Sequence, residues 1–168
     1  MEEELGFKRI TATNWNKPDE ITLRFGPRQN SPDEHPHLLH ILSPTLRQDV
    51  PLEIHKLFEV ARGTMVYSYY FYPLNTLGME HLFRIGEAAL RCKCRRLDYR
   101  KKKPGFSDLI DFLVRKGVFD SHTAKRWDAL RFLRNSASHL DRQSIYPPGT
   151  AIGTMERLAD DINALCPF

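Results

Sequence analysis

From Pro51 onward the apolar positions are spaced for helices. Apolar or small residues stand at Ile54, Phe58, Ala61, Met65, Tyr69, Tyr72, Thr76, Met79, Phe83, Gly86, Leu90, Cys94 and Leu97, a step of about 3.6 residues that marks one face of an α-helix. The stripe passes Pro73 and Gly78 without losing phase, so it reads either as one long kinked helix or as two helices meeting near Pro73. The cluster Tyr67, Tyr69, Tyr70, Phe71 and Tyr72 reads as core rather than as a surface for stacking bases. A shorter helix is expected from Ser107, whose hydroxyl can cap it, to Lys116, stopped by Gly117; its apolar face is Leu109, Ile110, Leu113 and Val114. Another begins near Ser121, carries Ala124, Trp127, Leu130, Leu133 and Ala137 on one side, and ends before Pro147-Pro148-Gly149. The last places Ile152, Met155, Leu158, Ile162 and Leu165 on one stripe and finishes at Pro167. Such helices joined by short loops predict an all-α fold, an antiparallel four- to five-helix bundle over residues 51–168.

Residues 1–50 differ. Pro18, Pro27, Pro32, Pro36, Pro44 and Pro51 exclude long helices there, and the stretch reads as a mostly irregular arm lying over the bundle. The alternation in Glu20-Ile21-Thr22-Leu23-Arg24-Phe25 predicts one short strand. His35, His37 and His40 lack the Cys or carboxylate partners that would complete a metal site, and read as surface or packing histidines.

With 168 residues and 41% hydrophobic content, the chain is long enough for one domain with a real core. No apolar run approaches the roughly 18 residues of a membrane span, and the opening Met1-Glu2-Glu3-Glu4 has the wrong charge for a leader, so a cytoplasmic protein is expected, without a membrane partner. Cys92, Cys94 and Cys166 read as reduced structural thiols. No cofactor and no metal are expected. The net charge of +4 conceals an uneven distribution. Arg91, Lys93, Arg95, Arg96, Arg100, Lys101, Lys102 and Lys103 fall within one short segment against a single acid, Asp98, and the rest of the chain is net acidic. Such a patch points to a polyanion, and these eight side chains are the candidate nucleic-acid contacts.

No Gly-rich phosphate loop, His-Glu-x-x-His or nucleophile elbow occurs. The candidate chemistry lies in Arg134-Asn135-Ser136-Ala137-Ser138-His139. On a helix Asn135 and His139 face the same side, and Arg134 is long enough to converge on them. An imidazole with a pKa near about 6.5 moves protons at neutral pH, a guanidinium holds a phosphate and the charge that develops on it, and an amide can orient the ring.

This run resembles the Arg-Asn-x-x-x-His signature of the HEPN superfamily, whose helical bundles often act as metal-independent ribonucleases in toxin, abortive-infection and other defence systems. Glu87-Ala88-Ala89-Leu90-Arg91, then Asp108-Leu109-Ile110-Asp111-Phe112-Leu113, then the motif helix are similar in order to that family across about residues 50–166. The resemblance implies an endoribonuclease in which the RNA 2′-hydroxyl attacks the adjacent phosphate, with Arg134, Asn135 and His139 as catalytic residues. It also implies a homodimer that brings two Arg/His motifs across a two-fold cleft. Family members controlled by a nucleotidyltransferase antitoxin carry a Tyr two places after the His, whereas Leu140 and Asp141 stand here; an antitoxin of another kind or another protein partner stays open. The alternative is a catalytically silent HEPN-like module that binds RNA or a protein partner.

Overall fold

The long apolar stripe is cut in two by Ser68 and Pro73. The computed structural model describes residues 6–25, 36–137 and 145–168. Among the described residues are seven helices and no strand: α1 (Glu20–Phe25), α2 (Pro36–Leu42), α3 (Leu52–Tyr67), α4 (Leu74–Arg96), α5 (Phe106–Arg115), α6 (Ser121–Ala137) and α7 (Pro148–Ala164). At the end of α3 the Ser68 hydroxyl donates to Met65 O at 2.6 Å, and Pro73, with no N–H to give, stands at the N-cap of α4. The stripe is therefore two helices. It keeps phase because both turn the same face to one core, in which Ile54, Phe58, Met65, Met79, Phe83 and Leu90 are buried.

The chain forms an all-α bundle around α4, which packs against α3, α5, α6 and α7. α3 is antiparallel to it: Met65 lies against Gly78, where a Cβ would stand 2.6 Å from Met65 Cγ, and at the other end Cys92 Sγ lies 3.6 Å from Glu53 Oε1. α7 runs beside α4 in the same direction. Tyr146 N donates to Thr76 Oγ1 at 3.2 Å, Leu158 meets Gly86, and Lys93 Nζ reaches Pro167 O at 2.6 Å. The α5 start is set by Asp108, whose carboxylate accepts the Gly105 N–H at 2.7 Å, rather than by Ser107. Val114, expected inside, is exposed, and Phe112 is buried instead. No described helix is long and apolar enough to cross a membrane.

Glu20–Phe25 is the helix α1, not the strand its alternation predicts. Asp19 caps it, with Oδ1 accepting the Ile21 N–H at 2.9 Å, and the pattern is inverted in space, since Thr22 is buried while Leu23 is 51% exposed. The reason lies elsewhere in the chain. Breaking the stripe frees backbone groups at 68–72, and the arm satisfies them: Asp19 Oδ2 accepts the Tyr72 N–H at 2.9 Å, Asp19 N donates to Tyr69 O at 2.9 Å, and Thr22 Oγ1 donates to Ser68 O at 3.0 Å. The aromatic cluster falls on this turn. Only Tyr72 is buried, Tyr67 and Tyr70 are exposed, and Phe71 packs edge-on against Phe7 of the arm.

Asp19→Ala should cost about 1–3 kcal/mol, because it strands the buried Tyr72 N–H as well as uncapping α1. Two glycine substitutions should move in opposite directions in the same urea titrations. Gly86→Val should destabilise by about 1–3 kcal/mol, since a Cβ there overlaps Leu130 Cδ2 and crowds Trp127 and Leu158. Gly63→Ala, in mid-α3 with nothing within 4 Å of the added carbon, should stabilise by about 0.5–1 kcal/mol.

Candidate nucleic-acid interface

The motif helix is placed by a close contact. At Gly86 of α4 there is no side chain, and Trp127 and Leu130 of α6 occupy its space; Trp127 is fully buried and stacks against Phe119. α6 starts at Asp120, whose Oδ1 accepts the Thr123 N–H at 2.7 Å and whose pKa that bond holds down. Along the rest of its expected stripe, Ala124, Leu130, Leu133 and Ala137 are only half-buried. The helix thus has one fully buried anchor, and beyond it Leu130, Leu133 and Ala137 pack against the core with part of their surface exposed.

Glu87, beside Gly86, meets the far part of α6. Its Oε2 lies 3.4 Å from Arg134 Nη2, and its Oε1 accepts from Arg91 Nε at 3.2 Å and Nη2 at 2.6 Å. Arg91 Nη2 also donates to Pro104 O at 2.8 Å, and Arg134 Nη1 donates to Asn135 Oδ1 at 3.4 Å. One carboxylate, 15% exposed, therefore ties the motif helix to the basic loop after α4. The Arg134 side chain is 41% exposed and Asn135 is exposed, so a positive group held by a carboxylate stands at the surface with an amide beside it. Such a group can meet a phosphodiester. His139 lies outside the described residues, and so does the expected pairing of Asn135 with it.

The basic segment divides. Arg91, Arg95, Lys101 and Lys102 line one cavity of about 270 Å³ together with Cys94, Tyr99, Pro104 and Leu109. Lys93 turns away to Pro167 O, while Arg96, Arg100 and Lys103 are exposed outside the cavity lining. Lys101 Nζ bonds Asp108 Oδ2 at 2.7 Å, which raises the lysine pKa and lowers that of the carboxyl. Burial pushes the Cys94 thiol up to about 11 and also raises Cys92 and Cys166, so none is a ready thiolate at neutral pH. Among the described residues no three His, Cys, Asp or Glu side chains converge to hold a metal ion. His40 is exposed near Glu156, at 3.9 Å; His35 and the side chain of His37 lie outside the described residues.

Sequence reading missed Glu87 as the partner of Arg134. The pair of Glu87 with Arg91 is visible at i,i+4 spacing, but nothing local to either helix brings residue 134 to residue 87. A double-mutant cycle of Glu87→Gln with Arg134→Gln, read by urea denaturation, should return a coupling of about 0.5–1 kcal/mol, and the Glu87/Arg91 cycle a larger one; a null first cycle would mean that Glu87 serves Arg91 alone. Comparison with protein-family models, curated proteins and solved structures found no match to this chain.

Proposed function

We propose that this chain is a HEPN-type endoribonuclease acting in a toxin or defence setting, with Arg134, Asn135 and His139 as its catalytic residues. The observation that carries the reading is the position of the Arg134 guanidinium. It is held by Glu87 within one ion-pair chain of Arg91 and the basic loop, so the motif arginine and side chains suited to phosphate lie on connected surface. In the reaction the RNA 2′-oxygen bonds to phosphorus as the bond from phosphorus to the 5′-oxygen breaks. The products are a 2′,3′-cyclic phosphate and a 5′-hydroxyl end. His139 takes the 2′-hydroxyl proton or delivers one to the leaving 5′-oxygen, Asn135 orients the imidazole, and Arg134 stabilises charge on the non-bridging oxygens. This chemistry requires no metal ion.

A homodimer would supply the second proton-transfer group. The motif helix offers material for a two-fold contact: Leu130 and Leu133, with Leu158, line a groove of about 220 Å³ between α6 and α7, and Phe132, on another face of α6, is 66% exposed. The Arg126 and Asp161 ion pair closes one side.

Purified protein should cut labelled single-stranded and structured RNAs in the presence of EDTA, leaving cyclic phosphate ends. His139→Ala should lower cleavage on the order of 10²-fold or more while RNA binding persists, and Arg134→Ala should weaken both. A folded wild-type protein that leaves these RNAs intact would sink the nuclease reading; binding without cutting would instead favour the silent module.

A further inference from the structure

We propose that the cavity between the last turns of α4 and the loop 97–104 is a binding site for a terminal phosphate monoester, either of a free mononucleotide or of a 5′-phosphorylated RNA end. The inference stands apart from the nuclease reading, since such a ligand binds whether or not the chain cuts RNA.

Size comes first. At about 270 Å³ the cavity falls just short of the usual range of ligand pockets, which run from roughly 300 Å³ upward. It admits a phosphate with about one nucleoside behind it, and no duplex. Charge comes next. The cations are not equivalent: Arg91 is fixed by Glu87 and Pro104 O and Lys101 by Asp108, so two are set in place before any ligand arrives. Arg95 and Lys102 are exposed arms that can close over an anion. Arg95 Nη2 donates to Cys92 Sγ at 3.2 Å and lies 3.9 Å from the exposed Glu53 carboxylate, weak contacts that a phosphate can replace. Against these four cations stand Asp108, Glu87, whose charge Arg134 shares, and the more distant, exposed Glu53; the surplus that remains suits a monoester, which carries roughly −1.5 to −2 at neutral pH, better than the single charge of a backbone diester.

The remaining wall fits a nucleoside. Tyr99 is braced against Phe112 with ring centroids 4.3 Å apart, and Leu109 and Cys94 are buried beneath. The Cys94 thiol stays neutral, as burial lifts it to about 11, so it does not repel the anion. The carbonyl end of α4 lies here too, but its last acceptors are engaged, Lys93 O by Leu97 N and Cys94 O by Tyr99 N. The attraction has to come from the side chains, which makes it removable by substitution. Arg91 belongs both to this cavity and to the Glu87 pair, so a ligand that draws on Arg91 also acts on the group that holds Arg134.

Calorimetry on the intact chain tests this with adenosine 5′-monophosphate against adenosine, and with a short 2′-O-methyl oligoribonucleotide carrying a 5′-phosphate against the same oligonucleotide with a 5′-hydroxyl. The 2′-O-methyl groups remove the attacking hydroxyl, so binding is read even from an active nuclease. At least one phosphorylated probe should bind tenfold or more tightly than its unphosphorylated twin. Discrimination by the mononucleotide alone identifies a free nucleotide as the ligand, and discrimination by the oligonucleotide alone identifies an RNA end. Arg95→Glu combined with Lys102→Glu, both exposed and checked for folding by circular dichroism, should abolish the preference; Lys125→Glu on α6, with the same sign of charge change elsewhere, should keep it. Phosphorylated and unphosphorylated probes binding within twofold of each other in both pairs, or a preference that survives the Arg95/Lys102 variant, overturns the proposal.

Discussion

At Gly86 the backbone of α4 meets Trp127 and Leu130 from α6 and Leu158 from α7, with Trp127 Cζ3 and Leu158 Cδ1 at 3.3 and 3.4 Å from where a Cβ would stand. Three helices converge on one missing side chain. The large indole fills the space, and close packing of this kind tolerates little change in volume. Because α6 has no other fully buried side chain among its described residues, this contact sets where the helix lies on α4, and therefore where Arg134 comes to stand. The position of the motif is a consequence of core packing one and two turns before it.

The N-terminal segment is part of the same economy of buried polar groups. A chain that stops one helix at Ser68 and starts the next after Pro73 leaves carbonyls and N–H groups without helical partners, and burial makes each of them costly unless paired. Asp19 and Thr22 reach across about fifty positions of sequence to take three of them. Lys8 Nζ adds a contact to Tyr70 O at 2.8 Å. The arm functions as a clip on the turn between α3 and α4 rather than as a loose extension over the surface.

Electrostatics then links the packed core to the exposed basic loop. Glu87 divides its two oxygens between Arg134 and Arg91, so neither arginine receives a full two-oxygen fork. A carboxylate shared in this way restrains both guanidinium groups while committing wholly to neither.

What the sequence alone determined is what local periodicity can carry. Stripes of apolar residues at a helical step specify the four long helices and α5, the all-α class, and most of the buried set, because a helix face is decided by neighbours three and four positions away. The Arg134-Asn135 motif and the basic segment were legible for the same reason, as short runs of chemistry. Whether the stripe across Pro73 was one helix or two was not legible, since two helices facing one core keep phase as well as one does. Glu20–Phe25 misled for a related reason: its alternation is local, but its conformation follows from Asp19 and Thr22 bonding a turn far along the chain. Only tertiary structure brought Glu87 to Arg134 and separated Lys93 from Arg91, Arg95, Lys101 and Lys102. Those outcomes depend on how helices approach one another at Gly86 and on which side of α4 each base emerges, and no window of neighbouring residues contains that information.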